Sequence, residues 1–426
     1  VNLSDRVLET TVGGILREAA ERAAGALALV EGTVDPARRR RWTYSDLLVD
    51  SERVARALLG RFAPGDRVAI WAPNSPEWVL AEFGAALAGL TLVTLNPALQ
   101  ARDVEHVLRR SRAHGLLLAP TWRSDDLGTV VAQVRGNLPD LREVISLADW
   151  DAFAASGSPA ERLPEVSPAH AAQIQYASGA THLQEGAVLH HRAITNNARF
   201  WTEILEAGPG DVWVNPMPLF HPAGCVLMTL GPVQGAFAQV LPPAFDPGLM
   251  LHLIESERGT LFGGVRTMIV AQLEHPDFRG RDLSSIRCAT AGAGTVPPTL
   301  VRRVESTLDV PLSIVFARTE ASPSITQTRL DDSPTDRAET VGRPHPGVEV
   351  RIADFLTNET VPAGMVGEVL TRGYHVMSGY FDNPVATSEA IDAEGWLHTG
   401  DLGSVDDRGY CRIEGRHKDT LTLVDE

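Results

Sequence analysis

Residues 65–97 read GDRVAIWAPNSPEWVLAEFGAALAGLTLVTLNP. Gly65-Asp66 makes a turn, and the apolar run 67–71 after it reads as a strand. Segment 76–89 has a helical pattern, and 91–95 is a second short strand-like run. Strand, helix and strand in that order form a βαβ unit, with a parallel sheet and helices packed on its faces.

The alternation continues on both sides. Upstream, TYSDLLVDSERVARALL (43–59) places Leu47, Leu48, Val54, Ala55, Leu58 and Leu59 at helical spacing, with Thr43 or Ser45 as the cap. Downstream, 102–113 reads as a helix and 115–118 as a strand. Later, 212–216 and 261–265 are strand-like, and 297–308 is helical. Segment 246–257 is also helical, with Asp246 as N-cap and Pro247 in the first turn. The expected fold is α/β, with two similar lobes of mixed sheets flanked by helices, over 1–168 and 169–335. Residues 156–168, rich in Ser, Pro, Ala and Glu, connect them. After about residue 335 short strands at 347–353 and 367–372 predict a small β-rich subdomain (336–414), with 384–391 helical.

Composition narrows the function. The chain has 426 residues, a formal net charge of −16 and 44% hydrophobic residues, ordinary for a globular enzyme. The one basic block, 38–41, reads as a solvated loop, so no patch suited to nucleic acid is expected. Cys225, Cys288 and Cys411 are widely spaced, which argues against a disulfide framework or zinc site and for a reducing cytoplasm. There is no run of eighteen apolar residues and no signal-peptide pattern, so no membrane span is expected. His190 and His191 are adjacent and read as structural.

The chemistry centres on Tyr-Ala-Ser-Gly-Ala-Thr-His-Leu-Gln-Glu-Gly (176–186), between strand-like 173–176 and helix-like 191–205. Such a loop turns backbone N–H groups inward to cradle phosphate oxygens. It resembles the Ser/Thr/Gly-rich loop of the adenylate-forming (acyl-CoA synthetase) superfamily, usually Tyr-Thr-Ser-Gly-Thr-Thr-Gly-x-Pro-Lys-Gly. Ser178, Gly179, Thr181 and Gly186 match. The family's lysine falls on Glu185, its proline on Gln184, a glycine on His182, and two threonines on Ala177 and Ala180. The only lysine in the chain is Lys418.

Further resemblances follow in the family's order. Residues 65–97 resemble its early core, NPMPLFHPAG (215–224) its acyl-site strand and turn, and TAGAGTVPP (290–298) its adenine-side Gly-rich turn. FARTEAS (316–322) resembles Tyr-Gly-x-Thr-Glu, segment 379–403 carries Trp-x-x-Thr-Gly-Asp, and GRHKD (415–419) resembles the hinge. The similarity covers about 42–419.

The resemblance implies roles at these positions. Asp401 would accept hydrogen bonds from both ribose hydroxyls of an adenylate, as its two oxygens suit a vicinal diol. Arg416 would lie near the ribose or phosphate, Thr319 would donate to the α-phosphate, and Glu320 would hold Mg²⁺ if ATP binds. Phe316 would pack on adenine, and Gly292, Ala293 and Gly294 would line it through backbone groups. Phe220, His221, Gly264 and Val265 would line an apolar acyl pocket, suited to a medium-to-large hydrophobic carboxylic acid. His221 would also approach the acyl carboxylate; a structural histidine and a core aromatic at 316 remain the alternatives. Ala317 replaces a glycine at the pocket, Arg318 adds a cation beside Thr319, and Arg266 stands where a proline is common. Lys418 and Asp419 would form a hinge (415–426) to a mobile C-terminal domain absent from this chain.

The family adenylates a carboxylate with ATP, then lets the thiol of CoA displace AMP. Here the residues expected to hold the pyrophosphate half are altered and those for the AMP half are kept. A carboxylate about 5 Å from a phosphate charge costs roughly 3 kcal/mol at an effective dielectric near 20. The expectation is a non-adenylating acyl-CoA ligase that uses CoA and an acyl-adenylate made by a separate enzyme, as in natural-product biosynthesis. An ordinary synthetase and a non-catalytic binder of acyl-adenylate or AMP remain the alternatives.

Overall fold

The computed structural model describes residues 6–176 and 185–416. Three main sheets organise it. A six-stranded sheet runs in the order Gly186–His190, Ala171–Tyr176, Thr91–Leu95, Arg67–Trp71, Gly115–Leu118, Glu143–Ser146. All its neighbours are parallel except the edge strand Gly186–His190, which pairs antiparallel with Ala171–Tyr176. A nine-stranded mixed sheet is built around the parallel strands Leu312–Ala317, Cys288–Gly292, Leu261–Gly264, Val212–Val214, Ala238–Leu241 and Leu27–Glu31. The third sheet is a four-stranded antiparallel meander of Val348–Ala353, Gly367–Gly373, Leu397–Val405 and Cys411–Arg416. The expected α/β class with a small β-rich sheet is what the chain adopts.

Local chemistry explains the helices. Thr43 caps Tyr44–Leu59 in a capping box with Asp46, which decides between the two expected caps. Asp246 caps Pro247–Ser256, accepting from Leu249 N at 2.7 Å, with proline in the first turn. Helix Pro76–Leu87 is buried nearly all round, wedged against Tyr44–Leu59. The two helices approach so closely at Gly84 that a Cβ there would lie 2.5 Å from Val54 Cγ1.

Sheet membership crosses the expected boundary at residue 168. Strands Ala171–Tyr176 and Gly186–His190 complete the first sheet, while Leu27–Glu31 and Arg41–Thr43 join the second. The reading of 38–41 as a solvated loop is also corrected. Arg39 is buried and its guanidinium bonds Glu257, Ser256 Oγ at 2.9 Å and Thr33 O at 2.8 Å. Arg41 reaches Glu257 at 2.6 Å. The block pins an edge of the nine-stranded sheet to the end of helix Pro247–Ser256. His190 and His191 are structural, but at a strand-to-helix junction. His190 accepts from Ala193 N at 3.1 Å, and His191 Nδ1 accepts from Val12 N at 3.3 Å. Burial pushes His191 down to about 3, so it stays a neutral acceptor.

Glu82 interrupts the apolar helix Pro76–Leu87. Burial raises its carboxyl well above the usual carboxylate range, so it is neutral. Gln173 Nε2 donates to it at 2.6 Å, Gln175 Nε2 donates to Gln173 Oε1 at 2.7 Å, and Thr94 Oγ1 donates to Gln175 Oε1 at 2.9 Å. This polar file runs from the helix through the sheet to the carboxyl ends of its central strands.

Two outcomes follow from these buried groups. Arg39→Ala leaves part of the Glu257 charge uncompensated and should cost about 3 kcal/mol in denaturant unfolding; a loss within error of zero contradicts the pinning role. The folded state keeps Glu82's proton to a higher pH than the unfolded chain does. Its contribution to stability therefore falls as pH rises above the ordinary carboxyl value of 4.5. Glu82→Gln should raise Tm relative to the parent at pH 8 and hardly at all at pH 4. A difference independent of pH is the contrary result.

Candidate active site

The carboxyl ends of parallel strands from the two larger sheets face one crevice, the usual ligand position in such folds. The first sheet supplies Thr94, Asn96, Gln175 and Tyr176 to a pocket there. The second supplies Phe220, His221 and Pro222 on a turn, and Thr319 after strand Leu312–Ala317. Leu99 and Val107 close it from one side. His221, Phe220 and Thr319 are therefore brought together on one pocket.

The turn bearing His221 is fixed by residues that sequence reasoning missed. Asn74 Nδ2 donates to Met217 O at 3.0 Å and its Oδ1 accepts from Leu219 N at 2.8 Å. Thr94 Oγ1 also lies 2.9 Å from Phe220 O. Behind the turn the chain enters an unexpected π-helical segment, Ala223–Leu230. It starts tightly: a Cβ on Gly224 would lie 2.2 Å from Pro218 O. His221 Nδ1 accepts from Ala223 N at 3.1 Å, so the neutral ring carries its proton on Nε2. Burial lowers His221 to about 4, so it is uncharged at neutral pH.

Gly264 also lies in this region. Its φ is 138°, a conformation side chains rarely adopt, and a Cβ there would lie in tight contact, 3.3 Å from both Met268 and Pro216. Val265 follows as the N-cap of helix Arg266–Leu273, so Arg266 begins a helix. Gly292 ends strand Cys288–Gly292, and Ala293 and Gly294 turn away with φ of 58° and 152°. Phe316 and Ala317 are half-buried at the end of Leu312–Ala317.

Arg318 holds a charged cluster together. Its guanidinium is 3.7 Å from Asp401 Oδ2 and 3.9 Å from Glu320 Oε2. Asp401 is buried on strand Leu397–Val405, directly opposite Arg416 in the ladder, and Arg416 Nε donates to it at 3.3 Å. Burial raises the Asp401 carboxyl, while Arg318 and Arg416 oppose that shift. Glu320 accepts from the Tyr380 hydroxyl at 3.0 Å, and its carbonyl accepts from Met377 N at 2.8 Å. Burial and the adjacent Glu320 raise the Tyr380 phenol, so it remains a donor. Sequence reading flagged Arg318 as a departure but had no signal for its partners, of which Asp401 lies far along the chain.

Ser178, Gly179, Thr181, Lys418 and Asp419 lie outside the described residues. Glu185 and Gly186 are described. A Cβ on Gly186 would come within 2.7 Å of Ile174 and 2.8 Å of Tyr176. The carboxylate of Glu185 accepts from Asn383 Nδ2 at 2.9 Å and lies 3.6 Å from the Arg110 guanidinium.

Comparison with known proteins identifies the family. The AMP-binding enzyme family matches residues 16–381. YngI of Bacillus subtilis, a putative acyl-CoA synthetase, is 35% identical over 444 residues, covering 97% of this chain and 80% of that protein. The mitochondrial medium-chain acyl-CoA ligase ACSF2 of Rattus norvegicus is 32% identical over 451 residues, covering 97% and 72%. The anthranilate CoA ligase AuaEII, solved with anthranoyl-AMP, has a TM-score of 0.88 at 25% identity, covering 98% of this chain and 79% of that one. The chain belongs to the AMP-binding enzyme family and is an enzyme of the acyl-CoA synthetase/ligase type.

Proposed function

We propose that this protein is a non-adenylating acyl-CoA ligase, which converts a preformed acyl-adenylate and CoA into acyl-CoA and AMP. The observation that carries this is the asymmetry of the site. The groups suited to AMP, Thr319, Asp401 and Arg416, accompany a carboxylate at 185, where the family places its loop lysine. In the reaction the CoA thiol sulfur attacks the acyl carbonyl carbon. A C–S bond forms, the C–O bond to the adenylate phosphate breaks, AMP leaves with that electron pair, and the thiol proton passes to solvent.

The residues divide the work. Asp401 receives the ribose hydroxyls, and Arg318 and Arg416 act against the raising effect of burial on its carboxyl. Arg416 and Thr319 face the phosphate of the leaving group. Phe316 and the 292–294 turn flank the adenine. Neutral His221, with its proton on Nε2, donates toward the acyl oxygen rather than acting as a base. The apolar Leu99, Val107, Phe220 and Pro222 suit a hydrophobic acid, consistent with the ligases named above. Magnesium fits poorly here, because Glu320 already accepts from Tyr380 and lies beside Arg318. A separate adenylating enzyme supplies the acyl-adenylate.

The test offers the protein a hydrophobic carboxylic acid with ATP and CoA, then the matching synthetic acyl-AMP with CoA. Thioester should form in the second mixture alone. Pyrophosphate release in the first identifies an ordinary synthetase; no thioester in either, with AMP still bound, identifies a binding protein. Separately, Asp401→Asn should weaken AMP binding about 10-fold by calorimetry, or about 1.4 kcal/mol. Unchanged affinity contradicts the ribose role.

A further inference from the structure

Where the polar file reaches the pocket, there are more acceptors than hydrogens. Thr94 Oγ1 lies 2.9 Å from Gln175 Oε1 and 2.9 Å from Phe220 O. Both oxygens are acceptors, and a hydroxyl carries a single hydrogen, so Thr94 satisfies only one of them. Among the described residues no second donor reaches either oxygen. The Gln175 amide is oriented from behind. Its Nε2 donates to Gln173 Oε1 at 2.7 Å and lies 3.3 Å from Cys225 Sγ, which leaves Oε1 toward Thr94. Thr94 and Gln175 are only 3% and 1% exposed, yet both line the pocket, as do Phe220 and His221. Whichever oxygen takes the Thr94 hydrogen, the other is left bare in the pocket wall.

We propose that the acyl substrate is a hydrophobic carboxylic acid carrying a hydrogen-bond donor, a hydroxyl or neutral amino group, selected by the acceptor pair Gln175 Oε1 and Phe220 O. The inference rests on the reading of this pocket as the acyl site. An acyl group that fills the pocket excludes water from the bare oxygen. A plain hydrocarbon leaves that oxygen unpaired, whereas a donor on the hydrocarbon completes it. Leu99, Val107 and Pro222 supply the apolar wall for the rest of the chain or ring. Gln175 is thereby a specificity-determining residue, and Gln173 and Glu82 behind it hold its amide in place.

The experiment is calorimetry with acyl-adenylate analogues whose phosphate is replaced by a sulfamate. Octanoyl and benzoyl sets are used, each carrying hydroxyl, amino or fluorine at the second, third or fourth carbon. Fluorine is similar in size and donates nothing. In the parent the best hydroxyl or amino member should bind about 10-fold tighter than its fluorinated counterpart. Equal affinity throughout both sets overturns the proposal, because both oxygens are then already paired, as in a file with its amides reversed. Gln175→Met removes one acceptor and frees the Thr94 hydrogen for Phe220 O, so the preference should fall below twofold. An undiminished preference there places the contact elsewhere and overturns the proposal. Thr94→Val removes the hydrogen and bares both oxygens, so the preference should persist; its loss assigns the contact to the Thr94 hydroxyl instead. The double variant leaves Phe220 O bare and should regain the preference, which a merely structural role for Gln175 would not produce. AMP affinity reports whether each variant is folded; if Gln175→Met loses it, the Thr94→Val result decides. Thioester formation from acyl-AMP is read separately. Its absence with the preference intact sinks the ligase assignment alone, and thioester without the preference sinks this inference alone.

Discussion

The site depends on one short antiparallel strand, Gly186–His190. It closes the edge of the first sheet against Ala171–Tyr176. Its other edge receives the segment 378–381: Val188 N donates to Gly379 O, Ser378 N to Val188 O, and Phe381 N to Gly186 O. The pocket residue Tyr176 and segment 378–381 are therefore tied to one ladder. Tyr380, opposite Ala187, carries the constraint onward through its hydroxyl to Glu320. An antiparallel return strand beside otherwise parallel neighbours makes this possible, because it reverses the chain at the carboxyl ends of the parallel strands, the usual ligand position in such folds.

Charge is organised around that frame. Two acidic groups, Asp401 and Glu320, meet one guanidinium, Arg318, with Arg416 on the outer side of Asp401. At separations of 3.7 Å and 3.3 Å, Arg318 and Arg416 oppose the raising effect of burial on the Asp401 carboxyl. Arg318 thus has a structural reason to replace a neutral residue: it links the buried Asp401 carboxylate to the Tyr380 seam through Glu320. The consequence is competition, since a ribose diol entering at Asp401 must share it with two guanidinium groups.

Much of the frame was legible in the sequence. The period-3.6 and strand-like runs in 65–97 gave the βαβ unit, and caps such as Thr43 and Asp246 marked helix starts. Three things were not legible, each for a physical reason. Leu27–Glu31 joins a sheet whose next member, Ala238–Leu241, is some two hundred residues away, and local patterning carries no information about that pairing. The apolar run Ala223–Leu230 has no polar face to give a period, so its π-helical winding leaves no trace. The burial of Arg39 within the basic block 38–41 was not legible because Glu257, its partner, is remote in the chain. In the site, motif residues were legible through resemblance, whereas Asn74, Tyr380, Asn383 and Arg110 act through contacts across the fold.

Glu185 shows what such contacts change. Considered alone, a carboxylate at that position repels a phosphate by roughly 3 kcal/mol at about 5 Å and an effective dielectric near 20. Beside Arg110 it belongs to a pair of zero net charge, whose field falls off faster than that of a lone charge. The repulsion felt by a distant phosphate is therefore smaller than the sequence alone implies. What is lost instead is availability: the guanidinium is engaged, and the carboxylate is anchored by Asn383, which also caps a helix. Simple reversion of 185 to lysine would place an ammonium against a guanidinium and an amide donor. The charge environment at this position is thus a property of the surroundings of residue 185 as much as of the residue itself.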